Sequence, residues 1–308
     1  MGFSLSIIST IAYFDIFDYP LTAWEIWKYL YGVRAQYIDI VNKLDDLASE
    51  GGIETRNGFY FLPKRNAIVN VRLERYLIAE KKYKKAKRIL KIISCMPFIR
   101  SICIMNTLSY DNASATSDID IMLMVEPKKL WLARFFCVSF LRIFNLRPNE
   151  EKRADTICLN FIVGTDGLDF SEIALKPEDA HFAHIVSRAV PVYDEKNYYN
   201  DFFLKNKWIF GIFPNTFPMD VSSRRKIRIY TLGRFLKKIA ELVLFVFSKN
   251  ILDLWAKKIQ MKIMPEALRG SANKNTNVVF SSTILKFHVK DRREEYNRRW
   301  KENLKFLT

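Results

Sequence analysis

The segment Asp118-Ile119-Asp120-Ile121-Met122-Leu123-Met124-Val125 constrains this chain more than any other. A short, nearly continuous apolar run of this kind reads as a buried strand. In a strand, residues i and i+2 share a face, so Asp118 and Asp120 lie together. Ile119, Ile121 and Leu123 point the other way, into a core. Two carboxylates forced onto one edge of a buried strand repel each other. A divalent cation removes that cost, and hard oxygen ligands suit Mg2+ or Mn2+. Metals held this way bridge triphosphate oxygens and lower the pKa of an attacking hydroxyl. The alternative is an exposed strand end with two solvated carboxylates.

The surrounding pattern supplies partners for this strand. Phe98 to Met105 reads as a buried strand, and Thr156 to Val163 as another. Between them, Glu126-Pro127 opens a helix through Trp131, Phe135, Phe136, Phe140 and Ile143. Strand, helix, strand, helix, strand describes a small α/β unit. Further helices are expected over 171–189 and 196–208. Residues 224–264 are helical in pattern, with basic and apolar positions interleaved. Their apolar run from Leu242 to Phe247 is too short to span a bilayer. It reads as a helix packed on the core, with an interfacial membrane helix as the alternative. A strand is expected over 278–289 and a charged helix over 290–306.

The first 63 residues form a separate pattern. Apolar stripes mark three helices, and Thr22 with Glu25 three places on predicts a capping box for the second. Ile53-Glu54-Thr55-Arg56, Asn57-Gly58 and Phe59-Tyr60-Phe61-Leu62 then read as a hairpin, because Asn-Gly is the strongest short hairpin signal. Three helices and a hairpin predict a winged helix. Its third helix carries Asp39, Asp45, Asp46 and Glu50 against Lys43 alone, a poor surface for a phosphate backbone. A long helix at 66–94 follows. Its basic run Lys81, Lys82, Lys84, Lys85, Lys87, Arg88 and Lys91 is either a solvated face or a polyanion contact.

The Ser117-Asp118-Ile119-Asp120-Ile121 segment resembles the nucleotidyltransferases of the DNA polymerase beta superfamily. The pattern there is Gly-Ser, a variable gap, then an acidic pair on a strand. Asn106-Thr107 stand where Gly-Ser would be. The resemblance implies that Asn106, Thr107 and Ser117 bind phosphate, that Asp118 and Asp120 bind metal, and that Asn160 occupies the place of a third catalytic carboxylate. Asp155 is the other residue that an alignment brings to that place. Asn can coordinate a metal but cannot act as a general base. Phe14 to Thr22 and Gly58 to Leu62 are similar to signatures of a bacterial group that joins a winged helix to such a domain.

The expected fold class is therefore α+β: a winged helix at 1–65, a basic linker helix at 66–94, a nucleotidyltransferase-like mixed sheet with flanking helices at 95–210, and a mostly helical region at 211–308. The expected activity is transfer of a nucleoside monophosphate from a nucleoside triphosphate to an acceptor hydroxyl, with Mg2+ or Mn2+ as cofactor. The alternative is a weakened nucleotide- or nucleic-acid-binding module that uses its winged helix for DNA or protein contact.

The bulk charge agrees with a polyanionic partner. Lys and Arg number 49 against 33 Asp and Glu, a net charge of +16. That favours nucleic acid, nucleotides or an acidic membrane face. Cys95, Cys103, Cys137 and Cys158 form no C-x-x-C pair and read as free thiols of a cytoplasmic protein. His181 and His184 share a helical spacing, but no third zinc ligand stands near them in sequence. Met1-Gly2-Phe3-Ser4-Leu5-Ser6 matches a myristoylation pattern, with an ordinary helix start as the alternative.

Overall fold

The computed structural model describes residues 2–248 and 250–307. Met1 of the lipidation pattern, and the Val246 and Phe247 side chains of the apolar run, lie outside what it describes.

Three helices open the chain: α1 (Phe3–Asp15), α2 (Ala23–Lys28) and α3 (Tyr37–Ser49). The capping box forms. Glu25 N donates to Thr22 Oγ1 at 3.3 Å, and Thr22 N donates to a Glu25 carboxylate oxygen at 2.9 Å. A hairpin of β1 (Glu54–Arg56) and β2 (Phe59–Phe61) follows. Arg56 pairs with Phe59, so the turn is the two residues Asn57 and Gly58. Both have positive φ, 54° and 76°, as the tight hairpin turn requires.

The long helix α4 (Ile68–Ser94) is not a uniformly solvated basic face. Lys82 is buried and donates to Ala115 O, Ser117 O and Asp155 Oδ1. Lys85 also reaches Asp155, at 3.3 Å. Lys87 donates to Arg224 O, and Lys91 sits over the Tyr230 ring. Lys81, Lys84 and Arg88 are left on the surface.

The remaining elements are β3 (Ile99–Ile104), α5 (Asn106–Ser109), β4 (Ile119–Val125), α6 (Leu130–Ile143), β5 (Ile157–Gly164), α7 (Ala180–Ser187), β6 (Val190–Asp194), α8 (Tyr198–Lys205), α9 (Ile209–Ile212), α10 (Thr231–Ser248), α11 (Ile251–Ile263), α12 (Glu266–Ser271), β7 (Val278–Phe280), β8 (Ile284–Phe287) and α13 (Arg293–Leu307). The fold is mixed α and β around a six-stranded mixed sheet in the order β6-β3-β4-β5-β8-β7. Among the described residues, only β4 and β5 run parallel.

Four local expectations need correction. The helix expected over 171–189 is a short 3-10 turn at Ser171–Ile173 and then α7. Asp179 caps α7 by accepting from Phe182 N at 3.0 Å, which fixes a late start. A strand not expected at all, β6, follows. It contains Pro191 and is an edge strand, where a missing N–H is tolerated. Residues 224–264 form two helices, α10 and α11, and 278–289 forms a hairpin. That hairpin joins the sheet, so the sheet draws strands from both sides of residue 211.

Both faces of the sheet are buried. Ile102, Ile104, Ile119, Ile121 and Leu123 pack on one face with residues of α4 and α6. On the other, Met122, Met124, Phe161 and Val163 join one core with α1, α2, α3, α7 and Trp300 of α13. The N-terminal helices therefore share their core with the sheet.

Candidate functional site

The topology brings the chemistry-bearing residues to one end of the sheet. β3 ends at Ile104 opposite Ile121, beside the start of β4. β5 is parallel to β4 and starts at the same end, with Cys158 level with Asp120. β6 begins there too, since Val190 faces Ile104, and Arg188 precedes it. β8 runs the opposite way to β5, so the chain after Phe287 arrives at the same place. These strand ends, with α1 and α13, surround a cavity of about 380 Å³.

Strand alternation puts Asp118 and Asp120 on the same side. Their carboxylates and the Cys158 thiol have ligand atoms within 4.8 Å of one another. The register slips by one residue between the Asp120–Cys158 and Met122–Phe161 pairs. That bulge leaves Asn160 aimed at Asp120, and its Nδ2 donates to Asp120 Oδ1 at 3.2 Å. Burial, with Asp118 beside it, pushes the Asp120 carboxyl up to about 6. Arg153 Nε lies 3.5 Å from Asp118 Oδ2, on a largely exposed side chain.

Asn106 and Thr107 lie just past β3 on the same cavity wall. Asn106 has φ 52°, a left-handed conformation that glycine adopts freely and that asparagine tolerates better than most residues. The backbone thus keeps the turn a glycine would make there. Ser117 lines the cavity, with its hydroxyl donating to Ser114 O at 3.0 Å. Asp155 faces elsewhere, held by Lys82 and Lys85 outside the cavity lining. Those two lysines hold its carboxyl below the usual range despite partial burial.

All six residues singled out from the sequence, Asn106, Thr107, Ser117, Asp118, Asp120 and Asn160, line this one cavity. The rest of the lining was not legible in the sequence. It carries Arg188, Lys286, Lys290, Arg292 and Arg293 with Asp291, and all three histidines of the chain, His181, His184 and His288. Lys286 and Arg293 are committed to Asp291, and Arg293 also to the fully buried Asp179. Arg188 is only 5% exposed, with its guanidinium 3.7 Å above the Tyr110 ring. No carboxylate lies within ion-pair distance of it among the described residues. Burial pushes His181 and His288 down to about 4, so they are neutral near pH 7. His181 Nδ1 instead shares a hydrogen bond of 2.7 Å with Tyr13 OH of α1.

The donor set at the acidic end is two carboxylates and the Cys158 thiol. Burial and the two aspartates push that thiol well above its ordinary value. Cys158 was missed in the sequence, although its place two residues before Asn160 on β5 could have found it.

In comparisons with protein-family models, with curated proteins and with solved structures, nothing matches this chain.

Proposed function

We propose that this protein is a metal-dependent nucleotidyltransferase, moving a nucleoside monophosphate from a nucleoside triphosphate to an acceptor hydroxyl. One observation carries the reading. The Asp118 and Asp120 carboxylates line one cavity with Asn106, Thr107 and the cations Arg188 and Lys290. A triphosphate with its divalent cation needs that polarity: oxygen donors for the metal and positive charge for the remaining phosphate oxygens.

In this reading Asp118 and Asp120 hold Mg2+ or Mn2+. The cation supplies charge neutralisation of the phosphates and a lowered pKa for the attacking hydroxyl. Asn106 and Thr107 orient the phosphates. Asn160 fixes the rotamer of Asp120 through Nδ2 and cannot take a proton. Arg188 and Lys290 supply positive charge to the phosphates, and the Tyr296 ring offers a stacking surface to a base. Most of the catalysis is positioning and electrostatic stabilisation.

The test is incubation of the purified chain with each nucleoside triphosphate and Mg2+ or Mn2+, with pyrophosphate release as the readout. Release that needs a divalent cation and stops in Asp118→Asn/Asp120→Asn is the expected result. Release that is unchanged in that variant contradicts the reading.

A weakened, nucleotide-binding module is the second reading, and the observation that favours it is Asn160 where a third carboxylate is expected. In that reading residues 1–65 act as a winged helix for protein contact. Asp39, Asp45, Asp46 and Glu50 are all exposed on or beside α3, which disfavours a DNA backbone. Divalent-dependent thermal stabilisation by nucleotides without pyrophosphate release distinguishes it.

A further inference from the structure

Helix α10 packs on the body of the protein with its polar side inward. Lys237 is 2% exposed and donates to Ile99 O and, at 3.2 Å, to Tyr193 OH. One turn on, Glu241 accepts from Phe98 N at 2.6 Å and pairs with Arg100 at 2.8 Å. These contacts fix the orientation of the helix. Its outward stripe is then apolar: Leu232, Phe235, Leu236, Ile239, Leu242 and Val243 are each between 43% and 67% exposed. Their spacing puts them on one side of the helix. The next helix continues the surface, with Ile251, Leu254 and Trp255 at least half exposed. Exposed apolar side chains in a continuous stripe, unlike single ones, mark a contact surface.

Charge identifies the occupant. From Arg228 to Ile263 the exposed charged side chains are all cationic among the described residues: Arg228, Arg234, Lys238, Lys257, Lys258 and Lys262. The two acids of this stretch, Glu241 and Asp253, are turned inward and hydrogen-bonded to Phe98 N and Leu132 N. Arg234 and Lys238, four residues apart, run along one flank of the apolar stripe. A second copy of this chain docked through the same surface would set cations against cations. An anionic lipid surface accepts both parts, the apolar stripe at the level of the acyl chains and the cations at the headgroups. No helix among the described residues is long and apolar enough to cross a membrane.

We propose that α10 and α11 form an interfacial docking surface for anionic membranes, lying on the bilayer rather than spanning it. Residues with long stems such as Arg234 and Lys238 can keep their charge at the headgroups while the stripe inserts. The surface is independent of the cavity, so the proposal does not rest on the nucleotidyltransferase reading.

Flotation of the full chain with lipid vesicles tests it. One set is phosphatidylcholine alone, and the other is phosphatidylcholine mixed with phosphatidylglycerol. The chain is expected to float with the mixed vesicles, at least about tenfold more strongly than with phosphatidylcholine, and to lose binding as salt rises. Phe235→Ser/Leu236→Ser is expected to weaken that binding by about tenfold or more. Arg234→Glu/Lys238→Glu does the same by charge alone, and both pairs are exposed, so circular dichroism should be unchanged. Asp118→Asn/Asp120→Asn should float as the parent does. Three results would overturn the proposal: no flotation, equal binding to both vesicle types, or a dimer in light scattering that Phe235→Ser/Leu236→Ser dissociates while vesicle binding is absent.

Discussion

Asp120 and the buried histidines respond to pH in opposite directions. His181 and His288 titrate near 6.5 when unfolded and about 4 in the fold, because burial disfavours the imidazolium. Between those values the unfolded chain binds more protons, so stability falls as pH drops from about 6.5 toward 4. Asp120 has the reverse shift, from about 4 when unfolded to about 6 in the fold, so it loses stability as pH rises through that window. Asp111, Asp194 and Asp253 are raised with Asp120. His184 is lowered with the other histidines, and Glu25, Asp155 and Asp291 are held below their usual range. Urea unfolding across this range should therefore show net acid destabilisation. Asp120→Asn should steepen that loss between about pH 6 and 4, by up to about 2 kcal/mol. An unchanged slope in the variant would mean that Asp120 titrates normally, and a shallower one that its carboxyl is lowered in the fold. Asn160 offers a second test. Asn160→Asp removes the hydrogen bond to Asp120 and adds a third carboxylate. With chelator present it should cost about 1–3 kcal/mol, and Mn2+ should restore the loss. A loss that Mn2+ leaves unchanged would separate Asn160 from any metal.

At the scale of elements, α4 is a brace for the acidic segment. Lys82 ties α4 to two carbonyls of the loop before β4 and to Asp155. Lys82→Met should therefore cost about 2–3 kcal/mol in thermal unfolding, the lower range for a broken buried pair because Asp155 is partly exposed. Reversing Lys84 and Arg88 on the outer face of the same helix should leave stability within about 0.5 kcal/mol. Equal losses from both variants would remove the brace. The elements that could be read from the sequence are those with local signals. The Thr22–Glu25 box, the Asn57-Gly58 turn and the alternation from Asp118 to Val125 each depend on neighbours in the chain. β6 could not be read, because five residues with a proline in second place pair with a strand almost ninety positions away. The cations of the cavity lining were hidden for the same reason. Lys290 to Arg293 read as the start of a charged helix, and only the antiparallel pairing of β8 with β5 carries them to the acidic end.

Across the whole molecule, the cavity is closed by both ends of the chain. Trp300 Nε1 donates to Ser9 O at 2.9 Å, joining α13 to α1. Arg293 connects α13 to Asp179, Asp291 and Ile173 O, with Asp179 wholly buried. Arg293→Met should cost about 3–5 kcal/mol, because it strands a buried carboxylate. A cost below about 1 kcal/mol would mean that the network does not hold the cavity wall. The central claim is that this cavity binds a nucleoside triphosphate through a cation on Asp118 and Asp120. Calorimetric titration of adenosine triphosphate into the chain, with Mn2+ and with chelator, on the parent and on Asp118→Asn/Asp120→Asn, tests it most directly. The account predicts binding in Mn2+ that weakens by at least about tenfold in chelator and in the variant. Equal affinity with and without the cation, or in the variant, would contradict it.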